Sequence, residues 1–189
     1  TEYSFSPFFP FQFPSGGIPP PSVSTVLKLL PFQYPGYPSP SGGPLYNPPV
    51  PLTTPIQGGM YPGKIIYLTG IPKQNANRFN VNLTCGAHES SNIALHFDAR
   101  FHFGNDSHNV VVRTHRQGGN YGPEERHQNF FPFTPGVNFE IMILAEHASF
   151  KVAVNGQHFT EFFHRIHPLN SVTYLNVQGD VVLTQVRFQ

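Results

Sequence analysis

Tryptophan is absent from this 189-residue chain, cysteine occurs once, and charge is sparse. Each shortage removes a class of explanation. The lone Cys85 cannot close an internal disulfide, which fits folding in a reducing compartment. A charged fraction of 11%, a net charge of +1 and no basic run leave nothing to neutralise a phosphate backbone, so nucleic acid is excluded as a partner. No apolar stretch reaches the length of a membrane span, and no charged segment leads into a signal-peptide core, so membrane insertion is not expected. The chain begins at Thr1 without a methionine, which points to processing or to a longer parent chain. The expected location is cytoplasmic, with export only by a route that bypasses the signal peptide. Neither a nucleophile elbow nor a phosphate-cradling glycine loop is present, and no acid–base pair is identifiable, so no enzyme activity and no cofactor are expected.

Proline is what the chain has in excess, and it divides the chain. Fifteen of the 21 prolines fall within residues 1–55, and Glu2 and Lys28 are the charged residues of the first 50. Such a segment favours extended conformations over a packed core. Aromatic residues stud it. Pro10-Phe11-Gln12-Phe13-Pro14 recurs as Pro31-Phe32-Gln33-Tyr34-Pro35, and each copy runs on to Ser-Gly-Gly. Residues 1–48 therefore read as a tail or linker rich in proline, glycine and aromatics. It is either a spacer or a surface for self-association through aromatic contacts. Val23 to Leu30 is its one apolar patch.

From Pro49 the texture changes. Lys64–Gly70, Arg78–Cys85, Asn92–His102, Asn109–His115 and Asn138–Glu146 are strand-like. Ser149–Val154, His158–Phe163, Val172–Val177 and Val181–Phe188 continue the series. Asn155-Gly156 between two alternating runs is a strong hairpin signal. No segment keeps a helical period, although 163–170 has room for one short helical turn. Many short strands at this spacing predict an all-β, two-sheet antiparallel sandwich of the jelly-roll kind over 49–189.

The strand Asn92–His102 organises that domain. Ile93, Leu95, Phe97, Ala99 and Phe101 alternate onto an apolar face. His96, Asp98, Arg100 and His102 share the other face, at intervals of about 7 Å. That polar row is either solvated or a platform for something rich in hydroxyl groups. A second cluster, Tyr121-Gly122-Pro123-Glu124-Glu125-Arg126, leaves a glycine-rich bend and is expected to enter a strand. Glu124 and Arg126 then share a face while Glu125 points away, an arrangement that cannot supply the paired carboxylates of a glycosidase. Glu124 reads as the partner of Arg126 or of Arg100, and each guanidinium would keep spare donors for a ligand. His96 and His102 lie too far apart along one strand to share a small ion, so no metal site is expected from them.

These residues carry a resemblance. His-Phe-x-x-Arg, then Val-Val near a bend, then aromatic-Gly-x-Glu-x-Arg, resembles the carbohydrate-recognition signature of the galectins. The likeness covers Pro49 to Gln189 and includes Asn155-Gly156-Gln157-His158-Phe159 and Val177-Gln178-Gly179-Asp180-Val181. The front half is similar both to the tail of a chimera-type galectin and to the linker before the second domain of a tandem-repeat galectin.

The resemblance implies a sandwich that binds β-galactosides on one concave face, on glycoproteins or glycolipids. In the family a histidine, an asparagine and an arginine of one strand grip the axial 4-hydroxyl of galactose, and His96, Asp98 and Arg100 hold those places here. Thr114 stands where a second asparagine bonds the 6-hydroxyl. Tyr121 replaces the stacking tryptophan, and Glu124 and Arg126 are kept. Asp98 exchanges an amide donor for a charge that Arg100 is placed to attract, Thr114 is shorter than an amide, and Tyr121 offers a smaller face. The expectation is a lectin with weakened or altered galactoside binding, cross-linking its targets if the tail or a second domain supplies valency. The alternative is a galectin fold that has lost lactose binding and works through protein contacts or self-association.

Overall fold

A computed structural model describes residues 43–105 and 107–189. The repeated aromatic motifs and the Val23–Leu30 patch lie outside the described residues. Among the described residues, twelve strands form two six-stranded antiparallel sheets. They are β1 (Leu45–Tyr46), β2 (Leu52–Pro55), β3 (Ile65–Pro72), β4 (Arg78–Thr84), β5 (Ile93–Phe103) and β6 (Ser107–Gln117), followed by β7 (Asn120–Tyr121), β8 (Phe139–Ala145), β9 (Ser149–Val154), β10 (Gln157–Phe163), β11 (Tyr174–Gly179) and β12 (Val181–Phe188). One sheet runs β1-β12-β3-β8-β9-β10 and the other β2-β11-β4-β5-β6-β7. This is the all-β sandwich that the alternating segments predict. The helical turn is a 3-10 turn at Leu169–Ser171, at the end of the expected segment.

The core follows from the alternation. Leu95, Phe97, Ala99 and Phe101 of β5 pack inward with Phe79, Val81 and Leu83 of β4. They meet Ile66 and Leu68 of β3 and Phe139, Ile141 and Ile143 of β8, all 2% exposed or less. Phe79 is the hub, its ring 5.1 Å from Phe133, 5.3 Å from Phe139 and 6.3 Å from Phe101. Offset and edge-on aromatic geometry adds attraction beyond area burial.

Three short strands escape a reading based on hydrophobic alternation. β1, β2 and β7 sit at sheet edges, where backbone pairing suffices and a proline such as Pro55 is tolerated. β1 pairs Leu45 with Val186 and Tyr46 with Gln185, so pairing begins ahead of Pro49.

The Asn155-Gly156 hairpin is formed as expected. Both residues have positive φ, 51° and 76°, and Gln157 pairs with Val154. Two consecutive left-handed residues match the right-handed twist of the flanking strands. A Cβ on Gly156 would meet nothing within 4 Å, so the penalty of Gly156→Ala is purely conformational. It should cost about 1–2 kcal/mol, read as a shifted urea midpoint with an unchanged slope.

Candidate functional site

The strand register assembles the polar face. Arg78 of β4 lies opposite Arg100 of β5, Asn80 opposite Asp98, and Asn82 opposite His96. On the other flank of β5, His96 faces Thr114 of β6. On the other flank of β4, Asn82 faces Asn176 of β11. These side chains alternate with the apolar row that fills the core, so the packing that buries Phe79 and Phe97 also fixes the direction of Arg78, Asn80, His96 and Asp98.

Asp98 is fully buried, and two arginines enclose it. Arg78 donates through Nε to Oδ1 at 3.1 Å and through Nη2 to Oδ2 at 2.9 Å. Arg100 Nε donates to Oδ2 at 2.7 Å, and His96 Nε2 stands 3.7 Å from the same oxygen. Burial pushes the carboxyl pKa up, but His96, Arg100 and Arg78 outweigh it and hold the group below the ordinary carboxylate range. The pairing of Asp98 with Arg100 is the one its alternate spacing suggests. Arg78 is the partner that spacing within one strand does not reveal.

The chain of charges continues outward. Arg100 Nη2 approaches Glu124 Oε1 at 3.4 Å, and Arg126 closes on Glu124 through Nε at 2.7 Å and Nη2 at 2.6 Å. Glu124 thus lies between both arginines named as its candidate partners. Ser107 Oγ accepts from Arg100 Nη1 and Arg126 Nη1 at 3.4 and 3.3 Å. The Phe103 ring lies 4.4 Å from the Arg78 guanidinium and 5.0 Å from that of Arg100, within cation–π range. Positive and negative groups alternate in the order Arg78, Asp98, Arg100, Glu124, Arg126.

The expected strand through Glu124–Arg126 is reduced to one bridge, between Glu125 and Arg113. Pro123, which lacks an N–H, helps to explain why the ladder does not form there. The alternation survives nonetheless: Glu125 turns away from Glu124 and pairs with Arg165 at 2.6 Å.

His96 is oriented from behind. Asn82 Nδ2 donates to Asn80 Oδ1 and to Asn176 Oδ1, both at 2.9 Å. Its Oδ1 then accepts from His96 Nδ1 at 2.6 Å. This fixes the imidazole and leaves Nε2 for other partners. Thr114 is buried, and its hydroxyl donates to Gly122 O at 2.9 Å. It therefore ties down the bend that carries Tyr121. Tyr121 is 54% exposed, with its ring 5.5 Å from that of His96 and the Arg116 guanidinium 5.7 Å away.

Beside His96 and Tyr121 a groove of about 690 Å³ runs across the sheet, its floor formed by Arg78, Asn80, Asn82 and Asn176. These four were missed in the sequence. The signal was present for β4, where Arg78, Asn80 and Asn82 alternate with Phe79, Val81 and Leu83 as the β5 residues do. Among the described residues, no three histidine, cysteine, aspartate or glutamate side chains cluster to hold a metal. No helix among them is long and apolar enough to cross a membrane. Cys85 follows β4, half-buried, with Sγ 3.7 Å from Ser171 Oγ.

Residues 51–188 match the family model of the galactoside-binding lectins. The chain belongs to the galectin family. It is 42% identical over 153 residues to galectin-4 of Rattus norvegicus, covering 80% of this chain and 45% of the rat protein. Galectin-3 of Mus musculus is 38% identical over 151 residues, covering 79% of this chain and 54% of the mouse protein. The chain thus spans about half the length of these relatives. Among solved structures, galectin LEC-6 of Caenorhabditis elegans superposes with a TM-score of 0.66 at 28% identity, covering 77% of this chain and 95% of the other. Sheep galectin-11, in complex with glycerol, superposes with a TM-score of 0.66 at 25% identity, covering 75% and 98%. The matching family is described as one of galactoside-binding lectins.

Proposed function

We propose that this galectin binds β-galactoside glycans across the β4–β5–β6 face with an altered hydroxyl-recognition set, in which His96, Arg100, Tyr121, Glu124 and Arg126 meet the sugar and Asp98 and Thr114 position them. The buried Asp98 carboxylate, engaged by Arg78 and Arg100, is the observation that carries the reading. A side chain with no exposed surface has no atom to offer a ligand. Its work is to hold two guanidiniums whose remaining N–H groups can donate to hydroxyls. His96 Nε2 supplies a further polar contact beside them, and the exposed ring of Tyr121 supplies an apolar platform.

Such a site is weaker than one with a free amide and an indole. Tyrosine gives less stacking area, at a cost of about 1 kcal/mol on the scale of aromatic contacts. Tyr121→Trp should therefore raise lactose affinity by a factor of about 5, measured by calorimetric titration. An unchanged affinity would remove stacking as the limiting contact. Single sites of this strength reach useful avidity when linked, and the repeated aromatic motifs of the tail are the segment proposed to supply that linkage. Cytoplasmic residence with export independent of a signal peptide is the location proposed with it.

The burial of Asp98 and the engaged hydroxyl of Thr114 also support a second reading, a galectin fold that has lost lactose binding and acts through protein contacts or self-association. A glycan array probed with the full chain separates the two. Binding to galactosides supports the lectin, and no binding to any glycan leaves the protein-contact reading.

A further inference from the structure

The β5–β6 hairpin carries two imidazoles that the sugar-binding reading does not use. His102 and His108 are directly opposed in the strand register. Their Nδ1 atoms stand 2.9 Å apart, and the rings meet nearly edge to face at 5.1 Å. Both side chains are exposed. With one hydrogen between them, one Nδ1 donates and the other accepts. With each ring turned so that its lone pair points about 45° off the shared axis, the two nitrogens can instead converge on one metal ion.

We propose that His102 and His108 form a two-imidazole chelate for a divalent ion of the nickel, copper and zinc group. Metal–nitrogen bonds of about 2.0–2.1 Å at adjacent coordination positions place the two nitrogens about 2.8–3.4 Å apart. The short end of that range corresponds to a square-planar ion and the long end to a tetrahedral one. The observed spacing falls within that range, and among these ions copper(II) binds nitrogen ligands most strongly. Imidazole suits this group of metals, and carboxylate-preferring ions such as magnesium and calcium would gain nothing from the pair. Because both rings are exposed, water can complete the coordination sphere. His102 also borders a cleft of about 530 Å³ lined by Gln74, Asn75 and Asn109, which leaves room for that water. Two paired strands fix the ligand backbones in advance, so binding has only to turn the two rings.

The site is distinct from the sugar-binding groove, although the hairpin that carries it also carries Phe103 over Arg78 and Arg100. Copper(II) alone is the probe, titrated into the full chain at about pH 8, above the ordinary imidazole range. The first equivalent should show electron paramagnetic resonance couplings from two nitrogens. His102→Gln and His108→Gln should each weaken binding of that equivalent by a factor of about 10 or more, at least the scale of losing an outer-shell partner. His147→Gln, at an exposed position on another loop, should leave it unchanged. Affinity that survives in both hairpin variants, or that falls equally in His147→Gln, would overturn the proposal, as would the absence of binding by the native chain.

Discussion

Replacing Arg100 with methionine should destabilise the domain by about 3 kcal/mol, the lower end of the cost of breaking a buried ion pair from one side. The penalty arises at Asp98. Its carboxylate has no exposed surface, and Arg100 Nε is its shortest donor at 2.7 Å. Methionine keeps the packing of the arginine stem but leaves a buried charge to Arg78, whose side chain is 30% exposed and weakened by solvent. If the orphaned charge is the cause, neutralising it should relieve the damage. The Asp98→Asn, Arg100→Met double variant should be more stable than Arg100→Met alone. A double-mutant cycle from urea denaturation gives the coupling directly, and simple additivity would show that Arg100 stabilises by packing.

The same carboxylate gives the domain a pH signature. The Asp98 pKa lies below its unfolded value, so its contribution is fully present above the unfolded carboxylate value of about 3.9. It is lost as the pH falls through the folded value, where the native state must take up the proton. Asp98→Asn should be less stable than the native chain by about 2 kcal/mol at neutral pH, the scale of hydrogen bonds to a charged group. That gap should narrow below about pH 4 and stay constant above about pH 6.

How much of this was legible beforehand depends on which forces act. Strands with one apolar face announce themselves, and β3, β4, β8, β9 and β11 follow their alternation because each must bury one row of side chains. Register shifts break it in β5, where Ala94 and not Ile93 joins the core, and in β12, where Val186 follows Leu183. The polar row of β5 and the pairing of Glu124 with Arg126 were readable from alternation, since residues two apart share a face. The face of Arg78 was readable from β4, but its pairing with Asp98 was not, because that comes from cross-strand register between β4 and β5, and register depends on the whole sheet. The role of Thr114 was hidden too. Its hydroxyl finds a backbone carbonyl eight residues on, through a bend whose geometry the residue types alone do not determine. The β1, β2 and β7 edges lack a pattern because they bury little.

That dependence of the site on the sheet makes Phe79 the residue whose loss should matter most. Phe79→Ala should cost about 3–5 kcal/mol, the range for deleting a fully buried ring into a packed core. A domain of this size has only about 5–15 kcal/mol in total, so the variant should stand close to unfolding at physiological temperature. The ring is completely buried between the two sheets, against Phe101, Phe133 and Phe139. Its neighbours in the strand, Arg78 and Asn80, face the groove. A cavity at Phe79 therefore lies directly beneath the clamp on Asp98, and relaxation of β4 to fill it would shift Arg78. Phe79→Leu should retain most of the stability by keeping more of the volume. The decisive comparison pairs thermal unfolding with lactose titration at a temperature where both variants stay folded. If β4 transmits the core defect to the surface, Phe79→Ala should lose sugar affinity while Phe79→Leu keeps it. Equal affinity in the two variants would mean that the strand pairing of Arg78 with Arg100 holds the groove in place without the ring behind it.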